Sequence, residues 1–294
     1  MAHSETTETR RLEGVAGALL GLVMVLLIRR YGGINHDAPL YLGQALLQQW
    51  PDILGADLFF AHGSQGSYTV FPRLLALGFA LLDPPLLFLV GSLVAILFFA
   101  WAGWYALAGI LPPGQRYWAW LGVLCLPSMY GRTLIFSYHE AFLTPRPLAE
   151  ALCLVAVGLL ARSRWLPGLA CLTFACLFHP LQAIAAALVI WPWLVARDRR
   201  WLHLAWLAVP VLLLAWLGVQ PFGDLFRRFD AAWLSDLHAY TGQLFVLDWS
   251  GADYANLALD GFLLVLGWRT LWPGFRAWCM ASLAGLVLGL LATL

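Results

Sequence analysis

Apolar runs close to twenty residues long recur from one end of the chain to the other, and they restrict its fold more than any other feature. A bilayer core about 30 Å thick takes roughly 20 helical residues to cross. Inside the hydrocarbon each backbone polar group must be satisfied within its own segment, so such runs become helices. The spans read as 13–31, 84–111, 116–131, 147–162, 165–178, 180–196, 201–219, 255–269 and 276–294. The expected fold is all-α: a polytopic transmembrane helical bundle of about nine spans, forming a single integral membrane domain over residues 1–294. The chain is 62% hydrophobic and only 11% charged, against roughly 25% charged for a soluble domain.

Punctuation along the chain refines the spans. Asp83 before Pro84 and Pro85 is a helix start, with the acid capping free N–H groups and proline fitting the first turn. The short runs on either side of His179-Pro180 read as two spans or as one broken helix. Residues 14–28 precede Arg29-Arg30 with no small-residue cleavage site, as in an uncleaved signal anchor. Gly17 with Gly21, and Gly285 with Gly289, have the spacing of close helix packing and are candidate contacts to partner helices.

All 17 basic residues are arginine. A P-loop lysine and a lysine Schiff base are thereby excluded. The arginines are scattered between apolar spans, so no nucleic-acid partner is expected. With the N-terminus cytoplasmic, the short inner connections hold Arg10, Arg11, Arg116, Arg162, Arg164, Arg197, Arg199, Arg200, Arg269 and Arg276. The positive-inside rule favours that orientation. It puts the long loops at about 29–83 and 220–254, and a shorter one at 131–146, on the outer face with most of the acids. In the first loop, Leu40, Gly43, Leu47 and Trp50 share one stripe of an expected interfacial helix, apolar side down. The five cysteines all lie in apolar segments without CxxC spacing, as buried small hydrophobes do.

Two outer-loop sequences could carry chemistry. The run YGGINHDAPLY places His36 and Asp37 side by side just after the first span. Asp37 is either a turn or helix-cap acid or a catalytic one. The run FSYHEAFLTPRPLAE supplies Tyr138, His139, Glu140, Thr144 and Arg146. Arg146 either snorkels from a helix start or faces an anion there together with free N–H groups. Glu150, four residues on, is placed to neutralise it. His36, Asp37, His139 and Glu140 could together hold a divalent metal, although loop acids and histidines without fixed spacing are a poor metal signal. Asp260 is the one acid placed inside a span, and Trp233, His238, Tyr240 and Trp249 form a sugar-compatible group in the last outer loop.

At these residues the chain resembles the C-type (GT-C) multi-spanning glycosyltransferases, which use polyprenyl-phosphate sugars. The likeness lies in the order: an inside N-terminus, one span, an acid (Asp37) opening a long outer loop with interfacial helices over Leu40 to Phe60, then a short polar outer loop with His139, Glu140 and Arg146. It covers roughly the first 200 residues, carries His-Asp where the family commonly has paired acids, and stops at Leu294 inside an apolar run, as in a shortened member. The resemblance implies a multi-pass protein of the bacterial inner membrane, with membrane lipid and a polyprenyl-phosphate sugar donor as partners. It implies inverting sugar transfer on the outer face, with Asp37 as general base and Arg146 and Arg73 holding the phosphate, among the binding residues His36, Arg73, His139, Glu140 and Arg146. The competing expectations are a transporter or lipid flippase, whose path would use Asp260, His179 and Pro180, and a non-catalytic membrane-complex subunit.

Overall fold

Helix starts follow proline throughout: Pro84, Pro113, Pro145, Pro180 and Pro273 each open a helix, where the missing N–H costs nothing and the fixed φ suits the first turn. The computed structural model describes residues 2–61, 65–126, 129–130, 136–137, 140–219, 222–270 and 272–292. The chain divides into two compact units, residues 1–130 with 134–186 and residues 187–294 with 131–133.

The first unit contains α1 (Ala2–Ile28), α2 (Ala38–Gln49), α3 (Pro51–Leu54), α4 (Leu58–Ala61), α5 (Phe71–Gly78), α6 (Pro84–Ile110), α7 (Pro113–Cys125), α8 (Pro145–Ala161), α9 (Trp165–Phe178) and the first turns of α10 (Pro180–Arg197). Two short strands, β1 (Met129–Tyr130) and β2 (Phe136–Ser137), pair antiparallel. On α6 the buried residues Phe88, Ser92, Ala95, Phe99, Ala102 and Ala106 recur at three- and four-residue steps, forming one stripe. Opposite it, α8 buries Ala149, Ala151, Ala156 and Gly158. A Cβ built on Gly158 would come within 2.5 Å of the Tyr105 ring, so small residues set how closely α6 and α8 approach. A second cluster joins Val25 of α1 to Ile96, Phe99, Trp120 and Leu124, and the Trp120 Nε1–H donates to the Ala100 carbonyl at 2.7 Å.

The second unit holds the rest of α10, a 3-10 stretch at Arg199–Leu207, α11 (Ala208–Trp216), α12 (Ala231–Thr241), α13 (Gly251–Thr270) and α14 (Pro273–Ala292). Trp193 stacks on Trp278 at 4.5 Å, and the Arg197 guanidinium lies 3.6 Å above the Trp193 ring.

Three helices, Pro84–Ile110, Pro180–Arg197 and Pro273–Leu291, are long and apolar enough to cross a membrane, and Gly14–Ile28 and Trp165–Phe178 are shorter apolar helices. The protein is thus a helical membrane protein, and helix occurs in each of the nine expected stretches. The stretch 201–219 differs most. Its first part is 3-10 and only the nine residues of α11 are α-helical, about 14 Å of rise. Arg199, Arg200 and His203 make its start polar, and Pro210 sits in the first turn of α11. His179 is extended between α9 and α10 (φ −151°, ψ 98°), so the two runs are separate helices. Asp83 precedes α6 as expected but makes no side-chain capping bond. On α2 the buried stripe is Ala38, Tyr41, Gln44 and Ala45, one residue round from the expected Leu40–Trp50 stripe. The glycine pairs pack within the chain: Gly17 faces Tyr117, Gly21 faces Trp120, and Gly285 and Gly289 face Leu188.

A Cβ on Gly21 would meet the Trp120 ring at 2.2 Å, whereas one on Gly14 meets nothing within 4 Å. Trp120 cannot swing aside cheaply, because it is buried and bonded to Ala100. Gly21→Leu is therefore expected to lose about 1–3 kcal/mol and to lower the melting temperature in detergent. Gly14→Ala should leave it level or slightly raised.

Candidate functional site

The residues of interest lie where the loop after α1, the loop before α8 and the break between α9 and α10 come together. A backbone bond from Gly32 N–H to the Ala141 carbonyl (2.9 Å) joins the first two loops. Thr69 Oγ–H donates to the Phe178 carbonyl (2.6 Å) and Val70 N–H to the Leu177 carbonyl (3.0 Å), fastening the segment before α5 to the end of α9. Beneath them Ala38, Tyr41, Ala45, Phe71, Phe88 and Leu143 form one apolar cluster, with Phe142, Leu148 and Phe178 packed against it.

Thr144 is the N-cap of α8, its hydroxyl accepting from the Arg146 N–H at 3.3 Å. That cap puts Arg146 in the first helical turn, with its side chain only 12% exposed. One guanidinium N–H pairs with the Asp37 carboxylate, and Nε lies 3.0 Å from Glu140 Oε1. The Glu140 carboxylate is fully buried and also accepts from the Thr144 hydroxyl. A buried carboxylate so held is stable only while its cation stays in place. Sequence alone paired Arg146 with Glu150, but Glu150 accepts from the Gln182 amide at 3.0 Å.

Asp37 occupies the N-cap position of α2 yet makes no capping bond with its side chain. Its carboxylate turns instead to Arg146 and to His36, whose Nδ1 lies 3.1 Å away. His36 stacks on Phe142 (5.4 Å between ring centroids) and has φ 54°. A left-handed backbone is costly for any residue with a Cβ. Here it lets consecutive residues turn both side chains toward the loop before α8.

Two residues that sequence reasoning left outside the site belong beside it. The Tyr41 hydroxyl is pushed up to about 12, first by burial and also by the Asp37 and Glu140 charges, with Arg146 opposing. It therefore stays protonated at physiological pH. His179 is pushed down to about 4, first by burial and then by the Arg146 charge, with Asp37 opposing. It is neutral, and its Nδ1 accepts from the Gln182 N–H at 3.4 Å. Proline after histidine marked only a helix boundary in the sequence; proximity to Arg146 arises from packing of α8 on α9. Gln44, two turns along α2 from Asp37, has both amide atoms buried without a hydrogen-bond partner.

Of the expected site residues, His36, Asp37, Glu140 and Arg146 are brought together. Arg73 is not. It lies on the exposed side of α5, whose inward side is Phe71, Pro72 and Leu75, and it forms no ion pair among the described residues. His139 and Tyr138 lie outside the described residues. No group of three His, Cys, Asp or Glu positioned to hold a metal occurs among the described residues, and both Asp37 and Glu140 face Arg146 instead.

In the second unit, His238 Nδ1 meets the Asp248 carboxylate and its ring stacks on Phe245 at 3.9 Å. Trp233 and Tyr240 are exposed on α12. Asp260 is exposed on α13 and lines a hollow of about 580 Å³ with Leu263, Phe275 and Cys279. Charge, hydrogen bonding and burial are concentrated at Asp37, Glu140 and Arg146, where the chain has the means to bind an anion and to accept a proton. No protein-family model, curated protein or solved structure matches the chain.

Proposed function

We propose that the protein is an inverting glycosyltransferase similar to the C-type enzymes, transferring a sugar from a polyprenyl-phosphate donor on the outer face of the membrane. The observation that carries this reading is the convergence of Asp37 and Arg146, contributed by separate loops, at the starts of two helices. A polyprenyl phosphate is a competent leaving group once its charge is held, so one general base suffices. Asp37 takes the proton of the acceptor hydroxyl, and the acceptor oxygen bonds to the anomeric carbon from the face opposite the phosphate. The carbon–oxygen bond to phosphate breaks with its electron pair on the phosphate, which Arg146 holds. His36 orients the Asp37 carboxylate, and Glu140 with Thr144 fixes the guanidinium.

Without ligand, Asp37 and Arg146 neutralise each other. An arriving phosphate competes for the same guanidinium and releases Asp37 as a free base. Binding of the donor thus creates the base that its reaction needs. In the transporter alternative His179 would line a path; the influence of the Arg146 and Asp37 charges on His179 instead associates it with the outer-loop groups of the enzyme reading.

The test is release of polyprenyl phosphate from polyprenyl-phosphate glucose and polyprenyl-phosphate mannose by the purified chain in nanodiscs, with water or an added free sugar supplying the acceptor hydroxyl. Asp37→Asn is expected to cut turnover about 10²–10⁴-fold with insertion and melting temperature retained; near-normal turnover would remove Asp37 from the chemistry. Arg146→Lys keeps the charge but loses the fork to Asp37 and Glu140. Its expected effect is a KM for the donor raised at least about tenfold, the equivalent of 1.4 kcal/mol.

A further inference from the structure

A carboxylate in the second unit stands apart from every ion pair described above. α13 and α14 pack on each other, and a Cβ on Gly267 of α13 would lie 2.9 Å from Cys279 Sγ and 3.1 Å from the Phe275 ring of α14, so the two helices are in tight contact there. Back along the same stripe of α13, at helical spacing, come Leu264, Leu263 and Asp260. With Phe275 and Cys279 these residues line the hollow of about 580 Å³. From Gly267 to Asp260 is about 10 Å of helix rise, which gives the hollow an apolar end where the helices touch and an acidic end at Asp260. Asp260 is exposed, and its carboxylate forms no ion pair or hydrogen bond among the described residues. The arginines of these helices, Arg269 and Arg276, belong to the turns at the apolar end, Arg276 over the Trp268 ring. Asp260 also lies midway along a helix of 20 residues, the length that crosses a bilayer core. Read as a span, α13 holds that carboxylate near mid-membrane, where an uncompensated charge is costly and marks a functional group in need of a partner.

We infer that the hollow between α13 and α14 binds an amphipathic ammonium ion, its charged head on Asp260 and its apolar body along Leu263, Leu264 and Phe275 toward Gly267. Charge selects the head. The hollow is lined by one carboxylate and no basic residue, and in apolar surroundings the attraction of that carboxylate for a cation is screened less than in water. Volume selects a small molecule, since small-ligand pockets run from about 300 to 1,000 Å³. A partner helix fits this face poorly, because Asp260, Leu263 and Leu264 are bulky where closely packed membrane helices carry small residues. A metal ion fits no better: no group of three ligating side chains occurs among the described residues, and a metal takes at least that many. All the lining residues belong to the second unit, so this site stands or falls independently of the enzyme reading of Asp37 and Arg146.

The experiment measures binding of dodecylamine to the full chain in a non-ionic detergent by native mass spectrometry, with dodecanol as the uncharged molecule of the same chain length and dodecanoate as the anionic one. Wild-type protein is expected to bind dodecylamine at least about tenfold more tightly than dodecanol, and dodecanoate more weakly than either. Asp260→Asn, at an exposed position, should keep the melting temperature and bring dodecylamine down to the level of dodecanol. Leu263→Arg tethers a guanidinium one helical turn from Asp260 and should likewise remove the preference for the amine. Equal binding of dodecylamine and dodecanol by wild type, or a preference that survives either substitution, overturns the inference. Should Asp260→Asn fail to fold, Asp260→Glu takes its place beside Leu263→Arg: a retained preference for the amine supports the assignment and its loss overturns it. A wild-type dimer that Asp260→Asn converts to monomer puts a partner helix on the carboxylate instead, and also overturns it.

Discussion

The loop end of the first unit, where the candidate site lies, depends on one guanidinium. Glu140 has no exposed side-chain surface, and removing an ionised carboxylate from water is prohibitive unless a cation and hydrogen bonds meet it. Arg146 Nε and the Thr144 hydroxyl meet it. They do so because Thr144 starts α8 and thereby fixes Arg146 in the first turn. Only then does the other edge of the guanidinium reach Asp37, and with it the start of α2. The order of dependence runs from a threonine cap, to a buried ion pair, to the placement of a candidate base more than a hundred residues earlier. Arg146 is a structural residue as well as a candidate for the site, so a truncated side chain there would disturb the fold and assign it no role.

Much of the architecture can be read from local rules. Proline openings at residues 84, 145, 180 and 273 coincide with helix starts because proline is cheap there and disruptive one or two turns further in. On α2, polarity does not mark the outward side. On α2 the polar Gln44 is buried while Leu40 is only partly so, which placed the inward stripe one residue away from the hydrophobic one. In a chain this apolar, outward faces meet lipid and need no polar residues, so hydrophobicity ceases to distinguish inside from outside. The 3-10 stretch before α11 escaped notice for a related reason: a long average over 201–219 conceals two arginines just before it, a histidine and an early proline.

The site was legible only where its parts are neighbours in sequence. His36 beside Asp37, and Thr144 beside Arg146, stand out as polar groups at the edges of apolar runs. That Arg146 pairs with Asp37 across 109 positions, and not with Glu150 four positions away, follows from tertiary packing that outweighs helical spacing. Arg73 was expected from loop membership alone, and its exclusion reflects the inward turn of Phe71 and Leu75 on the same helix. His179 had no signal beyond its proline, because its surroundings are set by what the end of α9 touches.

The charge balance gives a reason for using helix starts at all. Asp37, Glu140 and Arg146 together sum to one negative charge, and the chain has no lysine to add. The N-termini of α2 and α8 contribute roughly half a positive charge each, which offsets that negative charge. Helix ends differ from side chains in one respect that matters: they are fixed by the backbone and cannot follow Asp37 when it moves. In the proposed reaction, a phosphate that displaces Asp37 from Arg146 meets a field that remains in place. In the proposed reaction, anion recognition and release of the base are one event, driven by competition for a single guanidinium.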